Sequence, residues 1–532
     1  MGGGGNLGSR GAQIVHATNV DPVLDRPAPL LEFVGSASSS IEGVPVTSSS
    51  VQTEAQHPQG EGAGHAGLRR GLKARHLQLL AIGGAIGTGL FLGSGTTISL
   101  AGPSIIFVYA IVGLALFFVM RALGELLLSN LGHKTFGDVA ADLIGPWAGY
   151  VVAWTYWLAW VITVIADIVA ITGYVAFFND EIPAWAPAIA TAIGLLLLNL
   201  QPVKAFGETE FWFAIIKVVA ILALIAVGIV LLVTGFTSAD GVTASVSHLW
   251  DHGGMFPFGI SGFILGFQMG VFAFVGIELV GTASAEAEDP EKNLPKAINS
   301  VVVRILVFYV GALVIIMSVT PWDQIQPGVS PFTSMFELIG FPAAAIVVNL
   351  VVLTSAASSA NSGFYSSTRM LYGLAKDGQA TRRFGLLNSR GVPTQGVFFT
   401  TAFLFAALPV LALGDNVMAA FTVVTSVSSL NFIATWTIIL VSYIMFRKKR
   451  PELHEASKFK MPGGRFMPWV ILAFFAFILY ALFMGEDTRA GLIVLPFWFI
   501  GLGLMWRFVI SKRVARREAE ELDELVERVE HS

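Results

Sequence analysis

The 532-residue chain contains no cysteine. Disulfides, thiolate metal sites and cysteine nucleophiles are therefore excluded. Charge is scarce too. Asp, Glu, Lys and Arg make up 13% of the residues, about half the roughly 25% usual in soluble domains. A soluble enzyme does not fit that composition. No His-Glu-x-x-His pair or nucleotide-binding loop occurs. The N-terminus lacks a basic segment followed by an apolar core, so no cleaved signal peptide is expected. The Met-Gly start lacks Ser or Thr at position 6, which leaves the myristoylation pattern incomplete. The net charge of −4 is less informative than where the basic residues fall.

What the chain has instead is apolar length. Hydrophobic residues reach 54%, in runs placed near 77–99, 104–128, 147–178, 185–200, 209–234, 261–283, 300–320, 342–374, 395–413, 416–446, 468–484 and 490–510. About 20 apolar residues cross roughly 30 Å of hydrocarbon. A membrane barrel would show weak, alternating ten-residue segments, so the spans are helices. The expected fold is an all-α polytopic membrane protein with twelve transmembrane helices.

Basic residues give the orientation. Arg69, Arg70, Lys73 and Arg75 precede the first span, and Lys134, Lys204, Lys292, Lys296 and Arg304 fall in the second, fourth and sixth loops. Arg369, Lys376, Arg382, Arg383 and Arg390 mark the eighth loop. Arg447 to Arg450 with Lys458, Lys460 and Arg465 fill the tenth. The intervening loops hold only Arg489. The positive-inside rule then puts both termini in the cytoplasm.

Five regions are expected: a disordered tail over 1–67, a transport core over 68–447, a basic loop over 448–467, two more helices over 468–511, and a charged amphipathic tail over 512–532. The tail from Ser511 carries Val514, Leu522, Leu525, Val526 and Val529 at helical spacing. That suits a helix in solvent or on the membrane surface.

The first span is the strangest. Glycines at 83, 84, 87, 89, 93 and 95 interrupt an apolar run. Each costs a helix interior about 1 kcal/mol relative to alanine, so the run is biased towards local unwinding. The sixth span repeats the oddity, with Gly276, Glu278 and Gly281 after Phe272-Ala-Phe-Val. Interrupted helices at matched positions of two five-helix halves point to a transporter site. Amides around Ile86, Gly87, Thr88 and Gly89 favour a carboxylate. Open carbonyls around Phe272–Val275 favour an ammonium. A zwitterion satisfies both. The alternative is that the glycines only permit close helix packing. A phosphate cradle at Gly84–Gly89 is rejected, because a basic segment and a membrane helix surround it rather than a strand.

Ionisable residues within spans are costly and default to functional hypotheses. Lys217, Glu278 and Asp167 are candidates for proton coupling, since a charge held away from water can be relieved by proton exchange. Lys217 could instead stand in permanently for a bound cation, or reach to the interface. Glu278 and Asp167 could simply bond a neighbouring helix. Arg121 and Glu125, four apart, suggest a local ion pair or gate latch. The run from Thr354 to Gly363 is rich in Ser and Ala and faces helices or a cavity rather than lipid. Trp154, Tyr156, Trp157 and Trp160 could wall a cavity, form an interfacial belt or pack ordinarily.

Several motifs together resemble bacterial amino-acid permeases of the amino acid–polyamine–organocation superfamily. They are His76-Leu-Gln-Leu-Leu-Ala-Ile-Gly-Gly-Ala-Ile-Gly-Thr-Gly-Leu-Phe91, Gly207-Glu-Thr-Glu-Phe-Trp-Phe213, Phe274-Val-Gly-Ile-Glu-Leu-Val-Gly-Thr282 and Glu288-Asp-Pro-Glu-Lys-Asn-Leu-Pro-Lys-Ala-Ile-Asn299. Leu100–Tyr109, Met120–Asn130 and Leu353–Gly363 are most similar to the branch that carries D-serine, D-alanine and glycine. The resemblance covers roughly residues 68–512. It implies a five-plus-five inverted repeat with discontinuous helices 1 and 6, and proton-driven import across the bacterial inner membrane without a cofactor. It also implies that Ile86 to Gly89 hold the substrate carboxylate, and that Phe274, Val275, Gly276 and Ile277 hold its amino group. Lys217 then stands where sodium-coupled relatives bind a cation, which favours proton coupling. The expected partners are a small amino acid and the bilayer, with no nucleic acid. The rival readings are another cargo (L-alanine, proline, 4-aminobutyrate) or a sensor that binds amino acids without moving them.

Overall fold

The computed structural model describes Gly84 and residues 86–530, apart from 134, 240, 284–288, 339, 341 and 414–416. The expected 1–67 tail, the basic cluster 69–75, the first half of the first span, Lys134 and Glu288 lie outside the described residues. Among those residues the only bridged extended pair is Thr237 with Thr243; the remaining regular structure is helical.

Helices dominate because hydrocarbon offers backbone amides and carbonyls no partner except one another. The first is short, α1 (Thr88–Phe91), then α2 (Gly93–Ala101), α3 (Ile105–Ser129), α4 (Phe136–Leu143), α5 (Pro146–Ala176), α6 (Trp185–Asn199) and α7 (Val203–Thr234). The sixth span divides into α8 (Gly259–Gly270), a 3-10 turn Phe272–Phe274 and α9 (Leu279–Ala283). Then come α10 (Pro290–Arg304), a π turn Ile305–Gly311, α11 (Ala312–Val319), α12 (Pro331–Leu338), α13 (Pro342–Lys376), α14 (Thr394–Leu404) and α15 (Ala407–Leu413). The chain closes with α16 (Val417–Lys449), α17 (Met467–Met484), α18 (Glu486–Met505) and α19 (Ser511–Glu530).

Among the described residues, ten helical stretches are long and apolar enough to cross a membrane. The expected fourth span is shorter: α6 has 15 residues, about 22 Å at 1.5 Å per residue. One of the ten stretches, Gly93–Ser129, runs through both α2 and α3. Gly102, with φ +59°, and Pro103 divide it. A positive φ ends α2, and proline's fixed φ starts the next helix.

The central rod is α5, which packs along both α13 and α16. Small and hydroxylated residues let these helices approach. A Cβ added at Gly363 would run into the Trp160 ring. Thr163 Oγ1 and Ser428 Oγ lie 2.6 Å apart across α5 and α16. The α5 aromatics mostly pack: Trp160 meets Phe432 edge-on, and Trp157 stacks on Phe399.

Arg121 and Glu125 do not form the expected pair. Both turn to the loop after α16. Glu125, fully buried, accepts from Tyr443 Oη at 3.0 Å, His454 Nδ1 at 2.6 Å and the Met461 amide at 2.7 Å. Arg121 donates to Asn299 Oδ1 at 3.0 Å and to the Lys460 carbonyl, and lies 3.7 Å over the Phe459 ring. A buried carboxylate needs several donors, and Tyr443 of α16, with His454 and Met461 of the loop, supplies three. Arg450 adds a 2.7 Å contact to Asp142 of α4.

Two outcomes follow. Gly363→Ala should cost about 1–3 kcal/mol through overpacking and lower the thermal midpoint of the purified protein. Gly194→Ala, with open space around its Cβ, should not. Glu125→Ala should free the 450–467 loop, read as faster tryptic cleavage at Lys458, Lys460 or Arg465; unchanged cleavage would refute the anchoring role.

Candidate functional site

Ile86 and Gly87 lie outside any helix, immediately before α1 begins at Thr88; this irregular start of the described first span is termed the first break. Gly87 is extended (φ −137°, ψ −157°) and caps α1 without a side chain. Its carbonyl accepts from the Leu90 and Phe91 amides, both at 3.2 Å. The Ile86 carbonyl accepts Ser355 Oγ of α13 at 3.0 Å. The amides of the first turn have no partner within the helix, as at every helix start.

The second break follows the 3-10 turn. Val275 leaves helical space (φ −57°, ψ 138°) and Gly276 has φ +94°, a conformation that glycine adopts without strain. The carbonyls near it are less open than the sequence suggests. That of Phe272 accepts the Val275 amide, that of Phe274 the Ile277 amide, and that of Ala273 accepts Tyr309 Oη at 3.0 Å. Each still has a second lone pair. The Phe274 ring stacks on Tyr309 at 4.5 Å and meets Tyr109 edge-on at 5.6 Å.

The two breaks touch. A Cβ on Gly89 would lie 2.6 Å from Ala273 Cα and 2.8 Å from the Phe272 carbonyl oxygen. A Cβ on Gly87 would lie 2.9 Å from Ser359 Oγ. Glycine therefore permits the backbone of α1 to cross the 3-10 turn directly. Ile86, Gly87, Thr88 and Gly89 thus meet the segment that carries Phe274, Val275, Gly276 and Ile277, all of them buried.

A buried polar seam runs outward from the first break. Thr88 Oγ1 donates to Asp167 Oδ1 of α5 at 2.6 Å. Lys217 of α7 is fully buried rather than reaching an interface, and the carboxylates of Asp167 and Glu210 both act on its charge. Ser358 donates to Glu210 Oε1, Asn361 Nδ2 reaches Glu210 Oε2 at 3.5 Å, and Asn199 Nδ2 donates to Asn361 Oδ1 at 3.0 Å. A buried cation is tolerable when carboxylates and hydrogen bonds compensate it. Glu278 lies off this seam. It accepts Tyr156 Oη at 3.3 Å, and its charge acts on the buried Arg304.

The structure thus brings Asp167 and Lys217 together and leaves Glu278 with Tyr156. Sequence reasoning passed over Glu210 and Tyr309 as site residues and placed Arg304 in a loop, whereas it is buried at the end of α10. Glu210 had a usable signal, since it precedes Lys217 by seven residues, two helical turns on one face. The α13 run does two things: Ser355, Ser358 and Ser359 face the first break and Glu210, while Gly363 serves packing. Among the described residues no cluster of three His, Asp or Glu side chains could hold a metal ion.

The family described as amino acid permease matches residues 76–518. A D-serine/D-alanine/glycine transporter of Escherichia coli (strain K12) is 58% identical over 448 residues, covering 84% of this chain and 95% of the relative. An amino-acid permease of Bacillus subtilis (strain 168) is 50% identical, over 83% and 95%. A probable threonine/serine transporter of the same organism is 42% identical, over 80% and 92%.

Gly89→Ala should push the two breaks apart and lower the thermal midpoint sharply, because backbone atoms cannot yield. Gly93→Ala should be mild, since its Cβ would first meet the flexible Met269 side chain at 3.2 Å. Equal midpoints for the two variants would contradict the backbone crossing.

Proposed function

Because the chain belongs to the amino acid permease family, we propose that it is a secondary carrier importing D-serine, D-alanine and glycine by proton symport across the bacterial inner membrane. The observation that carries this reading is the close approach of the start of α1 to the broken sixth helix at Gly89 and Ala273. A helix start offers amides to a carboxylate, and an irregular turn offers carbonyls to an ammonium. Ile86 to Gly89 take the carboxylate, and Phe274 to Ile277 take the amino group. Glycine, D-alanine and D-serine share that dipolar unit and differ only by a small side chain. The 58%-identical relative described as carrying these three supports the cargo.

The membrane arrangement is twelve helices in a five-plus-five inverted repeat, with both termini cytoplasmic. The ten apolar stretches, the shorter α6 and the Gly-Pro division of Gly93–Ser129 support that count. The break in the sixth helix and the irregular start of α1 support the repeat. The cytoplasmic end is the one where Lys449 and Arg450 meet Leu143 and Asp142, in keeping with the positive-inside rule. The domain scheme is that of the sequence: cytoplasmic tail 1–67, core 68–447, basic loop 448–467, helices 468–511 and tail 512–532.

The proton gradient drives accumulation, with no cofactor. Lys217 occupies a seam whose two carboxylates, Asp167 and Glu210, can exchange its proton, and Thr88 ties that seam to the substrate's carboxylate end. Glu278 is a second proton candidate on the other break.

Proteoliposomes with an inward proton gradient should accumulate labelled D-alanine saturably, and a sodium gradient should not replace it. Lys217→Ala should abolish gradient-driven accumulation, while Lys217→Arg tests whether charge alone suffices. Full proton-coupled accumulation by Lys217→Ala would end the coupling assignment. Binding without accumulation in the unmodified protein would favour a sensor.

A further inference from the structure

Beyond Glu210 the polar seam ends at a stack of side chains that the proton reading above leaves unused. On α7, Phe206 lies one turn before Glu210, which lies two turns before Lys217. On α13, Tyr365 lies one turn after Asn361, and Arg369 one turn after Tyr365. Ser358 and Asn361 meet Glu210, and Tyr365 meets Phe206, so the two helices run antiparallel and both series proceed the same way. The Phe206 and Tyr365 rings stack at 3.8 Å with 6° between their planes. The guanidinium carbon of Arg369 lies 4.0 Å from the Tyr365 ring centroid. Two planar groups this close to one ring occupy its opposite faces, so Tyr365 is held between Phe206 and Arg369. All three residues are buried.

The stack lies towards the end of the bundle that the basic residues assign to the cytoplasm. Gln379, just after α13, donates Nε2 to the Pro146 carbonyl at 3.3 Å, beside the Leu143 carbonyl that accepts Lys449 Nζ at 2.8 Å. Lys204, two residues before Phe206, is exposed. Glu210 faces Lys217 on its own helix, Ser358 and Asn361 on α13 and, through Asn361, Asn199 of α6. Asp167 of α5 acts on the same lysine from the side of the first break. A stack of rings offers water no chain of hydrogen bonds, and a fixed cation beyond it raises an electrostatic barrier to protons. A proton on this seam is therefore shut off from the cytoplasm while the stack is intact.

We propose that Glu210 hands the coupled proton to the cytoplasm, and that the Phe206–Tyr365–Arg369 stack is the seal that parts to let it go. The inference rests on the import reading above. In the first transfer an N–H bond of the Lys217 ammonium breaks and an O–H bond forms on the Glu210 carboxylate. When the stack parts, that O–H bond breaks and the proton passes to cytoplasmic water. Lys217 is left neutral and Glu210 ionised, ready for the next proton from the outer side. The two carboxylates then divide the work. Asp167, bonded to Thr88, faces the cargo, and Glu210 faces the exit.

The test uses the full-length protein in proteoliposomes. Glu210→Gln keeps an acceptor for Ser358 and removes the proton site. It should slow gradient-driven accumulation of D-alanine by about 100-fold, the lower end of what a positioned proton-transfer group supplies. Exchange of labelled for unlabelled D-alanine, in which the proton stays bound, should persist; a merely structural role would lower both. Phe206→Ala should raise the proton leak without cargo several-fold, read by a pH-sensitive dye inside the vesicles. Tyr365→Leu, which opens the stack from α13, should leak likewise, and Tyr365→Phe, which keeps the stack, should not. Adding Glu210→Gln to Phe206→Ala should suppress the leak. Undiminished accumulation by Glu210→Gln, equal loss of accumulation and exchange, no leak in either opened variant, or a leak that survives Glu210→Gln would overturn the exit route while leaving the import reading intact. Neither exchange nor accumulation of D-alanine by the unmodified protein would overturn the import reading, and this inference with it.

Discussion

The molecule depends on one constraint: backbone polar groups at bilayer depth must find partners within the protein. The sixth span gives up its regular ladder at Val275 and Gly276, beside the irregular start of α1, and both segments are held by their neighbours. Ser355 reaches the Ile86 carbonyl, Tyr309 reaches that of Ala273, and Gly89 lets the two backbones touch. Without these contacts the interruptions would be costly defects. With them, amides and carbonyls sit where a small dipolar molecule could use them. Under the proposed function, cargo competes for groups the fold already holds loosely.

The polar seam extends this logic sideways. Asp167 belongs to the central rod α5, Lys217 and Glu210 to α7, and Ser358 and Asn361 to α13. Three helices therefore share the electrostatic consequences of one buried cation. Thr88 connects that seam to the first break through a single hydroxyl. A change of charge in the seam is felt at the break through this bond, which is the physical basis for assigning coupling there.

At the end of the bundle where Lys449 meets Leu143, the same need for partners is met by a loop. Glu125 would be an uncompensated carboxylate at the foot of α3 if Tyr443, His454 and Met461 did not surround it. Arg121 serves the same loop through Lys460 and Phe459 and also bonds Asn299 of α10. The pattern of basic residues in this region reflects docking as well as orientation.

The sequence alone determined that the chain is helical and membrane-spanning, where its apolar runs fall, and that the sixth span is interrupted. Composition, glycine cost and hydropathy act locally, so they are legible along the chain. Lys217 and Asp167 stood out because an isolated charge in an apolar run is costly wherever it packs. Pairings were not legible. Thr88 meets Asp167 79 positions away, and Ser355 meets Ile86 269 positions away. Arg121 and Glu125 had the spacing of a local pair, yet both found better partners across the fold. Glu210 and Tyr309 acquire meaning only from what surrounds them. Periodicity assigns a residue to a face of its helix; which helix lies against that face is decided by close packing of all the rods at once, and that exists only in the tertiary structure.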